Sequence, residues 1–214
     1  PESLDTALDW FLLATAVRRL RGDSHKHSSM LVHTSMKTAV QEAMAEALER
    51  RLQQRQQQIA RGDDEALVAL RDLWERESVI LPPTDGATWE AVVEHLRGVA
   101  DDCRIVVDNY RSDRRLEYSE DEPGVLIAVG GNTLSRGLTL EGLVTSYFVR
   151  ASTTYDTLLQ MGRWFGYRKG YEDLVRVWMT AELESWFRDL ALVEAEIREA
   201  IEDLAAQDRT PREL

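Results

Sequence analysis

The spacing of apolar residues predicts mostly helical structure in the first hundred residues. Near the start of the chain, apolar side chains recur at helical intervals: Leu4, Leu8, Phe11, Leu12 and Leu20. They predict a helix over residues 3–21. The apolar run 30–33 ends in Thr34 and Ser35, which indicates a buried strand leading into a helix N-cap. Residues 36–61, 63–76 and 89–100 are then predicted to be helical, with a breaker at 81–86.

The second half of the chain alternates between short apolar runs and helical patterns. Strands are predicted at 104–108, 125–129, 144–149 and 175–179, helices at 154–165 and 181–206, and a charged loop at 111–123. Strands separated by helices are typical of a parallel sheet covered on both faces. The fold class is therefore α/β, a doubly wound, mostly parallel sheet formed by residues 1–35 and 101–214. Residues 36–100 are predicted to be a helical insertion.

Composition narrows the possible functions. The net charge of −12 argues against a simple nucleic-acid-binding module, which would usually be basic. The charge is uneven, however: residues 181–206 hold eight acids and two bases, or −6, so a local cationic groove is still possible. The single cysteine, Cys103, excludes an internal disulfide and suits the cytoplasm, and no apolar run reaches the ~20 residues needed to span a membrane. The start at Pro1, directly before a helical pattern, suggests a fragment of a longer protein.

The first candidate site follows the apolar strand at 125–129. Two glycines, Gly130 and Gly131, end the strand, and small polar side chains and an arginine come next: Asn132, Thr133, Ser135 and Arg136, followed by Gly137. A glycine turn with hydroxyl groups at the carboxyl end of a parallel strand can bind phosphate. The alternative is a tight strand-to-helix turn with capping residues.

The second candidate site lies at the end of the helix predicted at 154–165. Gln160 is followed by two arginines, Arg163 and Arg168, which bracket a glycine and three aromatic residues. Arginine presents a rigid, permanently charged fork to phosphate oxygens. The alternative is that the aromatic residues lie in the core and both arginines lie on a solvated surface.

In this order and spacing, the two segments resemble motifs V and VI of superfamily-two helicases. Residues 30–35 fall where such domains carry motif IV. The wider pattern is similar to the Z1 domain family, in which this domain follows an N-terminal helicase-like ATPase half. The resemblance is strongest over residues 125–180. It implies a RecA-like fold and the C-terminal motor half of a nucleic-acid-dependent ATPase, with DNA as the expected nucleic acid.

The resemblance also implies roles for individual residues. Arg163 and Arg168 would be arginine fingers that stabilise charge growing on the γ-phosphate of ATP. Gly131, Arg136, Gly137 and Gln160 would line the nucleotide cleft, and Asn132, Thr133 and Ser135 would contact nucleic acid. Two features depart from the helicase pattern. The two arginines are five residues apart instead of three, so either could be the finger, and Thr139 stands where an aspartate is usual.

The chain lacks the residues that anchor ATP. A phosphate-binding loop needs Gly-Lys-Ser or Gly-Lys-Thr, whereas the only lysines are Lys26, Lys37 and Lys169, and none follows a glycine. ATP and Mg²⁺ are therefore expected to be bound mainly by the N-terminal half, which would be this domain's partner. The fragment alone is expected to be inert.

Three alternative readings are weaker. Members of the family that the chain resembles are often described as candidate endonucleases, some of them linked to restriction or phage defence. The acidic cluster at 101–102 has no accompanying lysine, however, and the cluster at 120–122 lies in a predicted loop, where solvated side chains are expected. His25, His27 and His33 lack partners at metal-ligand spacing and are expected to be exposed. Finally, the acidic helix at 181–206 has one apolar side, formed by Leu183, Trp186, Phe187, Leu190 and Val193. It could dock a partner protein, although packing on its own sheet is simpler.

Overall fold

The centre of the molecule is a five-stranded, all-parallel β-sheet. The computed structural model of the protein describes residues 2–80, 82–108, 118–119, 123–131, 140–149 and 168–206. Within these ranges the strands are β1 (Ser28–His33), β2 (Cys103–Asp108), β3 (Val125–Gly130), β4 (Leu143–Phe148) and β5 (Arg176–Trp178). Their order is β2-β3-β1-β4-β5. The central strand, β1, therefore pairs with both β3 and β4, and the carboxyl ends of these three strands are neighbours.

Five α-helices are described: α1 (Glu2–Leu20), α2 (Thr38–Arg61), α3 (Asp64–Ile80), α4 (Trp89–Asp102) and α5 (Ala181–Ala206). Their positions agree with the predicted ones to within a few residues at each end, and both bounds of α5 were predicted correctly. Two short 3₁₀ turns lie at Asp23–His25 and Glu172–Leu174. The helix predicted at 154–165 lies outside the described residues. No described helix has the length and apolar character required to cross a membrane.

Helix α1 is the most deeply buried element of one layer. Every residue from 7 to 18 is buried, because α1 is enclosed by α3, α4 and the sheet. Trp10 shows how it is held: its ring stacks on Trp74 with centroids 6.1 Å apart, and its indole Nε1 donates to the backbone oxygen of Leu174 at 2.9 Å. A helix that is apolar on nearly all sides is stable only in such surroundings.

The helices between residues 38 and 102 share the core of the sheet. Leu48 of α2, Leu70 of α3 and Leu96 of α4 are fully buried, and they belong to the same apolar cluster as Ile127 of β3. These helices are thus continuous with the main core. The predicted division into a sheet domain and an inserted unit stays a prediction.

The opposite face of the sheet carries a second, smaller apolar cluster. Leu31, Leu126 and Phe148 point to this side, where Leu183 of α5 is fully buried against them. Trp186, Phe187 and Leu190 of α5 pack there partly buried. The sheet is therefore flanked by helices on both faces, which confirms the predicted α/β class.

The predicted helix cap at Thr34 and Ser35 is wrong. Helix α2 begins at Thr38 after Lys37, so Thr34 and Ser35 do not cap it. The chain stays in the sheet longer than its apolar run indicates, because the Thr34 amide donates to the Gly130 oxygen at 2.9 Å.

The histidines at 27 and 33 are also not exposed: His27 is 8% and His33 2% exposed. The Gly124 amide donates to Nδ1 of His27 at 2.9 Å, and Nε2 lies 3.0 Å from the Ser119 oxygen. His27 therefore bridges two backbone groups, accepting a hydrogen bond at Nδ1 and donating one from Nε2. Such buried histidines could not be identified from local polarity.

Candidate functional site

The carboxyl ends of the three central strands meet at one edge of the sheet. The pattern of hydrogen bonds between the strands extends one step beyond the strands at this edge. The Thr34 amide donates to the Gly130 oxygen, and the Val149 amide donates to the His33 oxygen at 3.0 Å. The His33 ring packs against Phe148 with centroids 5.7 Å apart. In open parallel sheets ligands bind outside the carboxyl ends of the strands. This edge is therefore the candidate functional site.

Gly131 lies at this edge, directly after β3 and directly before Asn132 in the chain. A Cβ atom on Gly131 would stand 2.9 Å from the Ser35 backbone oxygen and 3.0 Å from the Gln41 side-chain nitrogen. That nitrogen donates to the Ser35 oxygen at 2.9 Å. The sequence suggested that a glycine here allows close approach of a ligand. The structure shows that it also allows close approach of the loop between β1 and α2.

Gln41 is a residue at this edge that sequence reasoning missed. Its side chain is 3% exposed, and its Oε1 atom accepts no hydrogen bond within the described part of the chain. A buried carbonyl oxygen without a donor is unfavourable, so it is well suited to accept one from a ligand. The only signal in the sequence was a glutamine one turn into the helix that follows the strand at 30–33. That signal is too common to stand out in a glutamine-rich helix.

Arg168 lies at the opposite, amino edge of the sheet. Its neighbours Lys169 and Tyr171 line a cavity of about 460 Å³ together with His27 and Gly142, which precede β1 and β4. A six-residue strand spans roughly 17 Å, so the two edges are well separated. The structure therefore does not bring Arg168 and Gly131 together.

The segment that follows Arg168 is anchored to the end of α1. Arg21 donates to both carboxylate oxygens of Asp173, at 2.9 and 2.6 Å, and also to Asp85. Burial alone would raise the pKa of Asp173, but the hydrogen bonds from Arg21 and the Thr84 amide outweigh it and lower that pKa. The Arg18 guanidinium lies 4.3 Å from the centre of the Tyr171 ring. These contacts fix the backbone close to Arg168.

The remaining predicted site residues lie outside the described part of the chain: Asn132, Thr133, Ser135, Arg136, Gly137, Gln160 and Arg163. Their roles stay predictions, as does the finger role of Arg168.

The alternative metal and nuclease sites gain no support from the residues described. Among them, no group of three or more His, Cys, Asp or Glu side chains could hold a metal ion. Asp101 and Asp102 end α4, and Asp102 pairs with Arg19 at 2.6 Å. The acidic cluster at 120–122 lies outside the described ranges.

A family model described as the Z1 domain matches residues 3–214, which is nearly the whole chain. No curated protein and no solved structure matches the chain significantly. The family match covers the candidate edge, the helices between β1 and β2, and helix α5 alike. The chain therefore belongs to the Z1 domain family.

Proposed function

We propose that this domain is the C-terminal, RecA-like half of a nucleic-acid-dependent ATPase of the superfamily-two helicase type, acting on DNA. One observation carries the proposal. The strand before the motif-V-like segment is a central strand of an all-parallel sheet and ends at the edge where such sheets bind ligands. ATP and Mg²⁺ would be held mainly by the N-terminal half, because the chain has no Gly-Lys-Ser or Gly-Lys-Thr sequence.

Residues of this domain would complete the nucleotide cleft from one side. Gly131, Arg136, Gly137 and Gln160 would face the nucleotide and the partner half. Asn132, Thr133 and Ser135 would contact phosphates of the nucleic acid by neutral hydrogen bonds. Gln41 Oε1 adds a buried acceptor beside Gly131.

Of the two arginines, Arg163 is the better candidate for the finger. A finger must reach the γ-phosphate, which in this proposal lies outside the carboxyl edge of the sheet. Arg168 lies beside the amino-edge cavity, on a segment that Arg21 holds in place. We therefore assign the finger to Arg163 and a supporting role to Arg168.

The test is ATP hydrolysis by the full-length protein with and without DNA, comparing wild type with Arg163→Ala and Arg168→Ala. An arginine finger contributes about 10³- to 10⁵-fold to the rate of hydrolysis. We expect DNA-stimulated hydrolysis that falls by about 10³-fold or more in Arg163→Ala and by much less in Arg168→Ala.

Arg71→Ala is the matched control, because Arg71 is exposed on α3 and, among the residues described, its ion pair is with Glu75 one turn away. It should hydrolyse ATP at the wild-type rate. Equal large losses in all three variants would indicate a general loss of structure. Hydrolysis that is absent in wild type, or unchanged in both Arg163→Ala and Arg168→Ala, would contradict the motor proposal and favour a protein-interaction module.

A further inference from the structure

Helix α5 extends well beyond the sheet on which it begins. Its 26 residues span about 39 Å. Leu183, Trp186, Phe187 and Leu190 near its start pack against the sheet. Further along, large apolar side chains are exposed: Val193 (43%), Ile197 (46%) and Ile201 (48%). The part of α5 after Leu190 thus presents apolar surface to solvent, until Leu204, which is buried again.

The exposed part continues the same apolar stripe. Residues seven apart are large and aliphatic at 183, 190, 197 and 204, and the intervening positions 186, 193 and 200 are Trp, Val and Ala. This is the a and d pattern of a coiled-coil helix, maintained over three heptads. A helix that needed only to cover the sheet would not keep this pattern past the sheet. The spacing indicates that the exposed stretch is built to pack against another helix.

An acidic row runs alongside the stripe. Four acidic residues also recur seven apart, each directly before an a position (183, 190, 197 or 204). They are Glu182, Asp189, Glu196 and Asp203, and all four are exposed. Within the described ranges none of them forms an ion pair. The acids that do form one, Glu184 and Glu194, bond arginines of α5 itself. The row therefore contributes negative charge that α5 does not neutralise.

This charge argues against a second copy of the same helix as the occupant. In an antiparallel pair the two acidic rows would face each other, and in a parallel pair Asp189 would face Glu194 of the other copy. Like charges at these flanking positions oppose pairing. A helix with lysine or arginine at its flanking positions would instead meet opposite charge along the full row.

We propose that the exposed stretch 191–203 of α5, between the packed Leu190 and the buried Leu204, is a docking surface for a basic amphipathic helix of a partner protein. The apolar stripe would supply the buried contact, and the acidic row would select the partner by charge. This goes beyond the proposed motor function and does not depend on it.

The test measures binding of the full-length protein to two fluorescent three-heptad peptides by anisotropy. Both peptides carry leucine at a and d; one has lysine and the other glutamate at every e and g position. We expect the lysine peptide to bind at least about tenfold more tightly, and the difference to shrink at high salt. Ile197→Ser/Ile201→Ser should lose binding to the lysine peptide while circular dichroism and melting temperature stay close to wild type.

Charge-reversal variants distinguish specific docking on α5 from nonspecific binding of the peptides. Glu196→Lys/Asp203→Lys should reverse the preference toward the glutamate peptide. The matched control, Glu199→Lys/Glu202→Lys, changes net charge equally on the other side of the helix and should keep the lysine preference. Equal binding of both peptides, no binding of either, or the same shift in both double variants would overturn the proposal. So would a dimer in light scattering that Ile197→Ser/Ile201→Ser dissociates, because the occupant would then be a second copy.

Discussion

At the residue scale, the ion pair between Asp9 and Arg55 is the clearest case of a charged group whose burial is unfavourable. Arg55 donates from two nitrogens to both carboxylate oxygens of Asp9 at 2.7 Å, joining α2 to α1. Burial raises the pKa of Asp9 to about 6, and the opposing effect of Arg55 does not compensate for it. The pair satisfies both side chains, but removing the Asp9 carboxylate from water still disfavours its charged form.

This raised pKa predicts how the stability contribution of Asp9 depends on pH. Below about pH 4, Asp9 is protonated in both the folded and the unfolded state. Between about pH 4 and pH 6 the unfolded state releases the proton and the folded state retains it, so the free energy of unfolding falls as pH rises. For a shift of about two units, the fall amounts to roughly 3 kcal/mol, complete above pH 6.

The measurement is urea unfolding of wild type and Asp9→Asn at pH 4 and pH 7.5. The free energy of unfolding of wild type, minus that of Asp9→Asn, should fall by about 3 kcal/mol between the two pH values. Asp72→Asn, which alters an exposed carboxylate of α3, serves as the control and should leave the pH dependence of wild type unchanged. A constant difference for Asp9→Asn would show that folding does not raise the pKa of Asp9.

At the scale of elements, the contact between the end of β3 and the loop after β1 shapes the candidate edge. Gln41, one turn into α2, bonds the loop carbonyl of Ser35, and Gly131 packs directly against that bonded pair. Strand, loop and helix therefore meet where only a hydrogen atom fits. A substitution at Gly131 should therefore disturb the packing of β3, the loop after β1 and α2 together.

We predict that Gly131→Ala lowers the free energy of unfolding by about 1–3 kcal/mol, as is usual when a methyl group is forced into a packed site. The added Cβ would clash with a backbone oxygen, which can move only together with the loop. Urea unfolding measures the change.

The control for Gly131→Ala is Gly98→Ala, the same substitution at an exposed position of α4. Among the described residues, its Cβ would meet only the flexible end of Arg19, at 3.3 Å. Because alanine favours helix over glycine, this variant should be neutral or gain up to about 1 kcal/mol. Equal effects of the two substitutions would mean that the contact at Gly131 relaxes freely.

At the scale of the whole molecule, the helices between β1 and β2 form one core with the sheet. Helix α1 contacts α3 and α4 as well as β4, so none of these elements can leave without exposing the others. Small domains with one continuous core usually unfold in a single step.

We therefore predict one unfolding transition in urea, with coincident curves from far-ultraviolet circular dichroism and tryptophan fluorescence. Leu70→Ala in α3 and Ile127→Ala in β3 each truncate a fully buried side chain of the same cluster. Each should lower the free energy of unfolding by about 2–5 kcal/mol and move both curves together. An early, separate transition in Leu70→Ala alone would show that the helices form an independent unit.

For the residues that the structure describes, the sequence alone determined which stretches are helices and strands, and that the strands form a mostly parallel sheet. This succeeded because the periodicity of apolar side chains is a local property that reflects which face is buried. The bounds of α5 and the positions of β3 and β4 were readable from their own residues. The two candidate segments were also visible, since glycines and arginines are distinctive wherever they lie.

Tertiary structure alone decided what those residues contact. Arg21 and Asp173 are 152 residues apart, and Gln41 meets Gly131 from another element, so no local pattern could pair them. The same holds for the burial of His27 and for the position of Arg168 at the edge opposite Gly131. These features depend on which strand lies beside which, and in a parallel sheet that order is set by long-range packing.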